Sequence, residues 1–452
     1  LIGRGIPAAT RYRHLFWGQT MGKFKQVPTH TLCVGSILKA PISDPNNDRL
    51  KLFAEGVEIT HRFIEKLESR GISFVEVSMR DLAVLGTFQP QGIGKKAVPP
   101  VQGIHAEHRN DHSDRLDQLA SQPDSLSLDE PADPFSANVD RPTNCSYADG
   151  IREQWAEDHD RSVFEMCDLS DRLIKGEVTD ASPLELLCTE ILGKIIEDAD
   201  AVVCLGSTPY ESEYPTRHSI HVATMAMAVA VEMGLSRDQI VDLGVGCLVH
   251  DMGMQVTGAK MFQTKSKLSR TGLGHLANHP VHAAELAGQL GDTISVSSTM
   301  VAYQLHERVD GSGYPRGLQM PQIHSLAKIG AVADAYVAML SPRPHRVGLQ
   351  GHYVMVQLLE EMKARKFDPL AIRGLLQITS LYPIGSCVEL NNGNVGRVIR
   401  TGLTDFEKPT IEMWSRDDLA KKPTVVNLKC EESLAIESTL PSLEAAVRFA
   451  RR

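Results

Sequence analysis

Apolar residues recur at helical spacing through most of the second half of the chain. Four of them lie three or four positions apart and share one face of a predicted helix: Leu184, Leu187, Ile191 and Ile195. We expect this helix to begin at a capping box, in which Ser182 precedes Glu185 by three positions. Ser236 and Gln239 form a second such box. An apolar stripe of this kind is typical of a core or of the seam of a homodimer.

The first third of the chain lacks this regular helical spacing. Residues 1–29 are interpreted as a tail, and residues 1–20 as an over-long gene start, because the first methionine is Met21. Residues 30–87 mix strand-like and helical patterns, which predicts a small α/β domain with either a regulatory or a packing role. Residues 88–150 are rich in Pro, Ser, Asp and Asn and are predicted to be a disordered linker.

The fold class predicted for the whole chain is mainly α. A helical connector is expected over residues 151–204, followed by a helical domain over 205–375. Residues 383–435 change to strand character, and Asn392-Gly393 is a strong hairpin-turn signal, which predicts a small β domain. A short C-terminal helix is predicted over 436–452.

Composition narrows the function classes. The 452-residue chain has a net charge of -9, which argues against DNA, RNA or anionic membranes as general partners. No apolar run approaches the roughly 18 residues of a spanning helix. The eight cysteines include no CxxC pair, which favours free thiols and a cytoplasmic location.

Histidine and aspartate residues recur on the apolar faces of successive predicted helices. A buried carboxylate such as Asp251 is costly unless it is paired or binds a metal. Mixed imidazole and carboxylate ligands suit two divalent cations, iron or manganese above all, with zinc also compatible. Asp251 could bridge the two cations, which would activate a water and neutralise a phosphodiester. The residues concerned are His218, His250, Asp251, His279, His306 and Asp334.

A glycine-rich loop follows His306. Gly311, Gly313 and Pro315 indicate a tight turn. Tyr314 within it could stack on a base or hydrogen-bond a phosphate, although the spacing alone favours a purely structural turn.

Together these motifs resemble the HD-GYP family of HD phosphohydrolases, over roughly residues 205–375. The resemblance implies that a metal-bound hydroxide hydrolyses cyclic di-GMP to pGpG or GMP, with His250 and Asp251 as catalytic residues. It assigns metal binding to the six histidines and aspartates named above. Substrate binding is assigned to Gly313, Tyr314, Pro315, Arg343 and Arg346, since guanidinium groups suit phosphates.

Several positions depart from the family pattern. Met254 stands where a lysine usually follows the glycine, Leu305 where a first histidine usually precedes His306, and Val337 where a second aspartate is common. Tyr214 replaces a glutamate ligand of trimetal members. These changes predict weaker metal binding and keep two alternatives open. One is a catalytically weak module that binds nucleotide or a protein such as a diguanylate cyclase, and the other is an HD phosphohydrolase for another nucleotide.

Overall fold

The computed structural model describes most of the chain from residue 106 onwards and parts of the segment before it. The described residues are 24–28, 42–44, 47–53, 66–67, 74–78, 106, 108–121, 134–139, 141–147, 150–210, 213–257, 270–342, 348–416 and 418–440. None of the helices within these ranges combines the length and the apolar character that crossing a bilayer requires.

Residues 1–100 form one compact unit, whose described part is a four-stranded antiparallel sheet. Its strands are β1 (Phe24–Pro28), β2 (Ile42–Asp44), β3 (Asn47–Phe53) and β4 (Phe74–Ser78), in the order β1-β4-β2-β3. Strand β1 pairs with β4 along its whole length. Phe24–Pro28, at the end of the segment interpreted as a tail (residues 1–29), thus form an edge strand of this sheet.

Residues 101–452 form the second unit, and most of its described part is helical. Its helices are α1 (Asp111–Ala120), α2 (Ile151–Ile174), α3 (Ser182–Gly206), α4 (Thr216–Glu232), α5 (Arg237–Val249), α6 (Gly253–Thr257), α7 (Arg270–Leu276), α8 (His279–Gln289), α9 (Val296–Gln304), α10 (Ser325–Leu340), α11 (Gly351–Lys363) and α12 (Pro369–Thr379). Helix α4 is buried along almost its whole length and forms the centre of the bundle. The mainly helical fold class is thus confirmed.

Helix α1 lies inside the segment that composition predicts to be disordered, and that prediction is wrong for residues 108–121. Asn110 caps the helix, because its side chain accepts a hydrogen bond from Ser113 N at 2.7 Å. Leu116 and Ala120 pack into an apolar cluster with residues of α8 and α9. These two buried side chains dock the short helix on its neighbours, although two apolar positions do not make a recognisable helical pattern in a polar segment.

The two predicted capping boxes have different outcomes. Ser236 caps α5 as expected, since its hydroxyl accepts from Gln239 N and the Gln239 side chain accepts from Ser236 N. Ser182 does not cap α3. The cap position falls on Ala181 instead, and the backbone N–H of Ser182 donates to Asp180.

A five-stranded antiparallel sheet follows the helices. Its strands are β5 (Cys387–Leu390), β6 (Val395–Arg400), β7 (Thr410–Trp414), β8 (Thr424–Asn427) and β9 (Ile436–Leu440), in the order β8-β7-β6-β5-β9. Asn392-Gly393 forms the predicted turn between β5 and β6, with Gly393 at φ 80°. The C-terminal helix predicted from residue 436 is wrong for Ile436–Leu440, which pair with β5; residues 441–452 lie outside the described residues.

A buried ion pair joins the sheet to the helices. Arg400, at the end of β6, donates to the carboxylate of Asp198 at 2.5 Å and lies 3.9 Å from Asp200. Asp198 breaks the helical geometry of α3, with φ -159° and ψ 94°, and so turns its carboxylate toward the arginine. The Arg400 guanidinium also lies over the Tyr147 ring, 4.4 Å from the ring centroid, which is a cation–π contact.

Candidate metal centre

Six buried histidine and aspartate side chains meet in the helical unit. They come from five places: the first turn of α4, the end of α5, the start of α8, the segment just after α9, and the middle of α10. The residues are His218, His250, Asp251, His279, His306 and Asp334, and none is more than 6% exposed. The structure therefore brings together the six residues that the sequence pattern singles out.

Three of the imidazoles are held by hydrogen bonds at Nδ1. His250 Nδ1 lies 2.6 Å from the carbonyl oxygen of Cys247, and His279 Nδ1 lies 2.6 Å from that of Leu276. His218 Nδ1 lies 2.7 Å from the hydroxyl of Tyr210. A carbonyl can only accept, so Nδ1 carries the proton in His250 and His279. Their Nε2 atoms then have a free lone pair, the form in which histidine binds a metal.

Asp251 is the point on which the histidines converge. Its Oδ1 lies 3.3 Å from His279 Nε2, 3.4 Å from His250 Nε2 and 3.5 Å from His306 Nε2. Its Oδ2 lies 3.9 Å from His218 Nε2. The two carboxylate oxygens thus face different histidines, as a bridging carboxylate requires.

Asp334 lies next to two of the same histidines. Its Oδ1 lies 3.0 Å from His218 Nε2, and its Oδ2 lies 3.5 Å from His306 Nδ1. His306 therefore lies between the two carboxylates, with one ring nitrogen near each of them.

Four polar atoms of this cluster are buried without a hydrogen-bond partner among the described residues: His250 Nε2, His279 Nε2, His306 Nε2 and Asp251 Oδ1. Leaving such atoms unpaired costs about 1–3 kcal/mol each. The potential ligand atoms fall into two groups that share Asp251, one with His218 and His250 and one with His279 and His306, and the atoms of each group lie within 4.8 Å of one another. This donor set fits two divalent cations.

The charges of the cluster depend on one another. Burial alone would raise the pKa of Asp251, but the nearby imidazoles hold it well below its usual value. Burial alone would lower the pKa of His306, but Asp251 and Asp334 outweigh this effect and raise it to about 9. Burial lowers the pKa of His250 to about 4. Without a metal, His306 therefore carries the positive charge that balances the carboxylates.

The glycine-rich loop lies against this cluster. The Tyr314 ring stacks on the His306 ring, with centroids 4.9 Å apart and an angle of 18°, and it meets the His279 ring edge-on at 5.8 Å. A side chain at Gly313 would lie within 2.5 Å of the Glu307 backbone, so only glycine fits there. The predicted phosphate ligands Arg343 and Arg346 lie outside the described residues.

Glu307 holds the backbone of this loop through hydrogen bonds. Its buried carboxylate accepts backbone hydrogen bonds from Arg316 at 2.7 Å, Gly317 at 3.1 Å and Leu318 at 2.9 Å. Burial raises its pKa to about 7, although these three donors act in the opposite direction. The glutamate that follows His306 is thus a loop anchor, a role that sequence reasoning missed.

Arg316 extends the loop network to α1. Its Nε donates to Asp117 at 2.9 Å, and its Nη1 donates to the carbonyl oxygen of Ala106 at 3.0 Å. Asp117 also accepts from the hydroxyl of Tyr303 at 2.7 Å, and Ala106 N donates to the Pro315 carbonyl at 2.9 Å. The segment that precedes the helical domain in sequence therefore holds the loop beside the metal ligands.

The departures from the family pattern have different structural consequences. Leu305 is completely buried, and a methyl group added at Gly330 of α10 would lie 2.9 Å from its Cδ1 atom. Met254 is 5% exposed, and its sulfur accepts from the Tyr214 hydroxyl at 3.2 Å. The same hydroxyl lies 3.4 Å from Asp251 Oδ2, so its one proton is shared between the two acceptors. Leu305 is thus a core residue, whereas Met254 and Tyr214 fill space beside the bridging carboxylate.

The four histidines around Asp251 lie on helices or at helix ends. The part of the chain that carries them is similar to a known protein family. Residues 207–370 match the family model described as "HD domain". This region is similar to HD domains. The match confirms the resemblance drawn from the motifs, as far as the HD superfamily is concerned.

Curated relatives of the HD domain are cyclic-dinucleotide phosphodiesterases by name. A Pseudomonas aeruginosa cyclic di-GMP phosphodiesterase is 30% identical over 53% of this chain and 57% of its own length. A Xanthomonas campestris cyclic di-GMP phosphodiesterase response regulator is 31% identical over 35% of this chain and 40% of its own length. A Vibrio cholerae 3'3'-cGAMP-specific phosphodiesterase is 30% identical over 35% and 36%. This chain spans about half the length of the Pseudomonas aeruginosa relative and a smaller share of the other two.

Proposed function

We propose that the chain is a metal-dependent phosphodiesterase that hydrolyses cyclic di-GMP to pGpG or GMP. The observation that carries the proposal is the set of buried, unpaired Nε2 atoms around Asp251 Oδ1. Such a set is costly in a protein that binds no cation and fits one that binds two. The names of the curated relatives support a cyclic dinucleotide as the substrate.

The residues of the HD domain have distinct roles in this proposal. His218 and His250 would hold one cation and His279 and His306 the other, and the carboxylates of Asp251 and Asp334 would complete the ligand sets. Two divalent cations, for which iron or manganese suits the mixed ligands, would lower the pKa of a water and neutralise the phosphodiester. Tyr210 and the carbonyl oxygens of Cys247 and Leu276 fix the imidazoles, so that little reorganisation is needed on binding.

The substrate groups bind at the face that the glycine-rich loop covers. Tyr314 of this loop stacks one ring face on His306, and its remaining surface would contact a phosphate or a base of the substrate. Arg343 and Arg346 are proposed to bind the phosphates, as the family resemblance implies.

A turnover assay on the purified full chain tests the proposal. The metal-free protein is loaded with manganese or iron(II) and incubated with cyclic di-GMP, and pGpG and GMP are separated by chromatography. We expect metal-dependent product in the unmodified protein and none in Asp251→Asn. Asp292→Asn, which changes an exposed carboxylate outside the HD centre, is the matched control and keeps full activity. Absence of product with every metal would overturn the proposal.

Two residues beside Asp251 support a second candidate function, a module that binds nucleotide with little turnover. Met254 and Tyr214 occupy space where relatives of the HD-GYP type present Lys and Glu. If this candidate is correct, calorimetry detects binding of cyclic di-GMP while the assay above detects no product. 3'3'-cGAMP serves as the competing substrate in both measurements, since one relative is named as specific for it.

A further inference from the structure

A second group of side chains that could bind a metal lies outside the HD centre. It consists of His108, from the segment before α1, and His282 and Glu285, which are three positions apart on α8. None of them belongs to the six residues around Asp251. His108 is exposed and the other two are half-buried, so solvent reaches the group.

The three side chains already converge on one point. Glu285 Oε1 lies 3.2 Å from His108 Nε2, and Glu285 Oε2 lies 2.8 Å from His282 Nδ1. The two imidazole rings have centroids 4.8 Å apart. One ligand atom from each residue lies within 4.8 Å of the other two, and ligands of a tetrahedral zinc ion are about 3.3 Å apart for bonds of about 2.0–2.1 Å. Small side-chain rotations would therefore place all three atoms around one cation.

We propose that His108, His282 and Glu285 form a second, mononuclear site for a divalent transition metal such as zinc, which fastens the segment before α1 to α8. Two imidazoles and one carboxylate are a common zinc ligand set, and solvent supplies the fourth ligand. The cation would bind the two ring nitrogens that face Glu285, and each neutral imidazole would then carry its proton on the other ring nitrogen.

The surrounding contacts show what such a site would hold in place. His108 N donates to the Asn278 side chain at 3.3 Å, and Asn110, the cap of α1, donates to Glu285. Helix α1 then carries Asp117, which binds Arg316 in the glycine-rich loop. A cation at this site would thus link α8, which begins with the HD ligand His279, to the segment that supports the loop.

Zinc binding to the full chain tests the proposal. Zinc stoichiometry is measured by competition with a chromophoric chelator for the unmodified protein, for His282→Ala and for Glu285→Gln. We expect each variant to bind one equivalent less than the unmodified protein. His275→Gln, which removes an exposed histidine on α7, is the control and loses none. The same difference of one equivalent is expected in an Asp251→Asn background, where the HD centre is weakened.

Trypsin cleavage tests the fastening itself. Arg109 lies in the fastened segment and Arg115 in α1, which follows it directly, and both are exposed. We expect zinc to slow cleavage at these two residues several-fold in the unmodified protein and to have no effect in His282→Ala. Equal zinc stoichiometry in all four proteins would show that the group is only a hydrogen-bonded triad and would overturn the proposal. Cleavage that zinc does not change would overturn the fastening role.

Discussion

Asp251 lies at the centre of the ligand cluster of the HD domain. Four imidazoles face its two oxygens at 3.3–3.9 Å, and it is 1% exposed. Such a carboxylate is either neutralised by cations or balanced by protonated histidines. Since His306 already carries a positive charge in the metal-free state, a cation that binds beside Asp251 can replace the proton on His306.

We predict that Asp251→Asn loses metal and turnover while it keeps its fold. An amide binds cations far more weakly than a carboxylate, so metal affinity should fall by more than the roughly 10- to 100-fold that loss of an outer-shell partner causes. Metal analysis and circular dichroism of the purified variant check this prediction. Full metal content with full turnover would show that Asp251 has only a structural role.

Leu305 stands where the family pattern predicts a further ligand, so histidine at this position would be expected to raise metal occupancy. Its complete burial against Gly330 favours a different outcome. We predict that Leu305→His lowers the free energy of unfolding by about 2–5 kcal/mol, the range for losing a buried leucine, without raising metal content.

Urea denaturation and metal analysis of the two proteins measure these effects. Leu305→Met conserves volume and polarity, so we expect it to cost less than about 1.5 kcal/mol. If Leu305→His instead binds more metal at unchanged stability, the helix end does turn this side chain toward the HD centre.

The raised pKa of His306 predicts a pH dependence of metal binding. Its pKa is about 9 in the metal-free protein, so His306 is protonated at neutral pH and a cation must displace that proton. Apparent affinity should therefore rise with pH up to about 9, by up to roughly tenfold per pH unit for one proton, and level off above it.

Calorimetry in buffers with different ionisation enthalpies measures the number of protons released. The His282→Ala protein is the better sample, because the second site proposed above is then removed and the HD centre is measured by itself. We expect close to one proton from His306 near pH 7.5, and His306→Gln should abolish this release. An affinity that does not change between neutral pH and pH 9 would contradict the prediction.

The candidate metal ligands are predictable from the sequence because each belongs to a short motif with a recognisable neighbour, such as the aspartate after His250. Glu307 is not, since its function depends on three backbone N–H groups that only the folded loop presents. The same holds for Tyr210, whose hydroxyl meets His218 through the fold. Nothing in its own sequence context distinguishes it from a core tyrosine.

At the scale of elements, the glycine-rich loop is supported on two sides. Glu307 holds its backbone from within the HD domain, and α1 holds Arg316 through Asp117. The loop in turn carries Tyr314, which stacks on His306. Its geometry therefore depends on a helix that lies outside the region recognised as an HD domain.

We predict that Asp117→Asn weakens this support without changing metal content. The variant removes the charge that pairs with Arg316, so stability should fall by about 1–3 kcal/mol and turnover should fall with it. Asp114→Asn is the matched control, because Asp114 lies on the same helix and its carboxylate lies 3.9 Å from Arg109, away from the loop. Thermal denaturation measures the stability of both variants, and initial rates measure their turnover. If the two variants have the same stability and the same turnover, Asp117 does not support the loop.

Helix α1 also shows why the composition of a segment does not reveal a short helix within it. Its segment is polar, because most of its surface faces solvent, and its two buried apolar side chains Leu116 and Ala120 are four positions apart. A pattern so short does not stand out from a polar background. By contrast, α4 and α5 have enough buried positions to be predicted directly, and the Asn392-Gly393 turn identifies the hairpin.

At the scale of the whole molecule, the helices and the C-terminal sheet share a buried charge cluster. Arg400 faces both Asp198 and Asp200, and burial raises the pKa of Asp200 to about 6 even beside Arg141 and Arg400. Removing Arg400 would leave two buried carboxylates without this partner. The sheet is therefore part of the same folding unit as the helices, which its strand pattern alone could not reveal.

Because α1 packs on α8 and α9, we expect the smallest stable fragment of this protein to be larger than the region that matches the HD domain family. Trimming to residues 207–370 would uncover the apolar patch under Leu116 and Ala120 and would also remove Arg400. We predict that a protein beginning at residue 101 is monodisperse in gel filtration, whereas one beginning at residue 122 aggregates. Any exchange of the first unit for another should therefore join the new segment upstream of Ala106, so that α1 stays with the helical unit on which it packs.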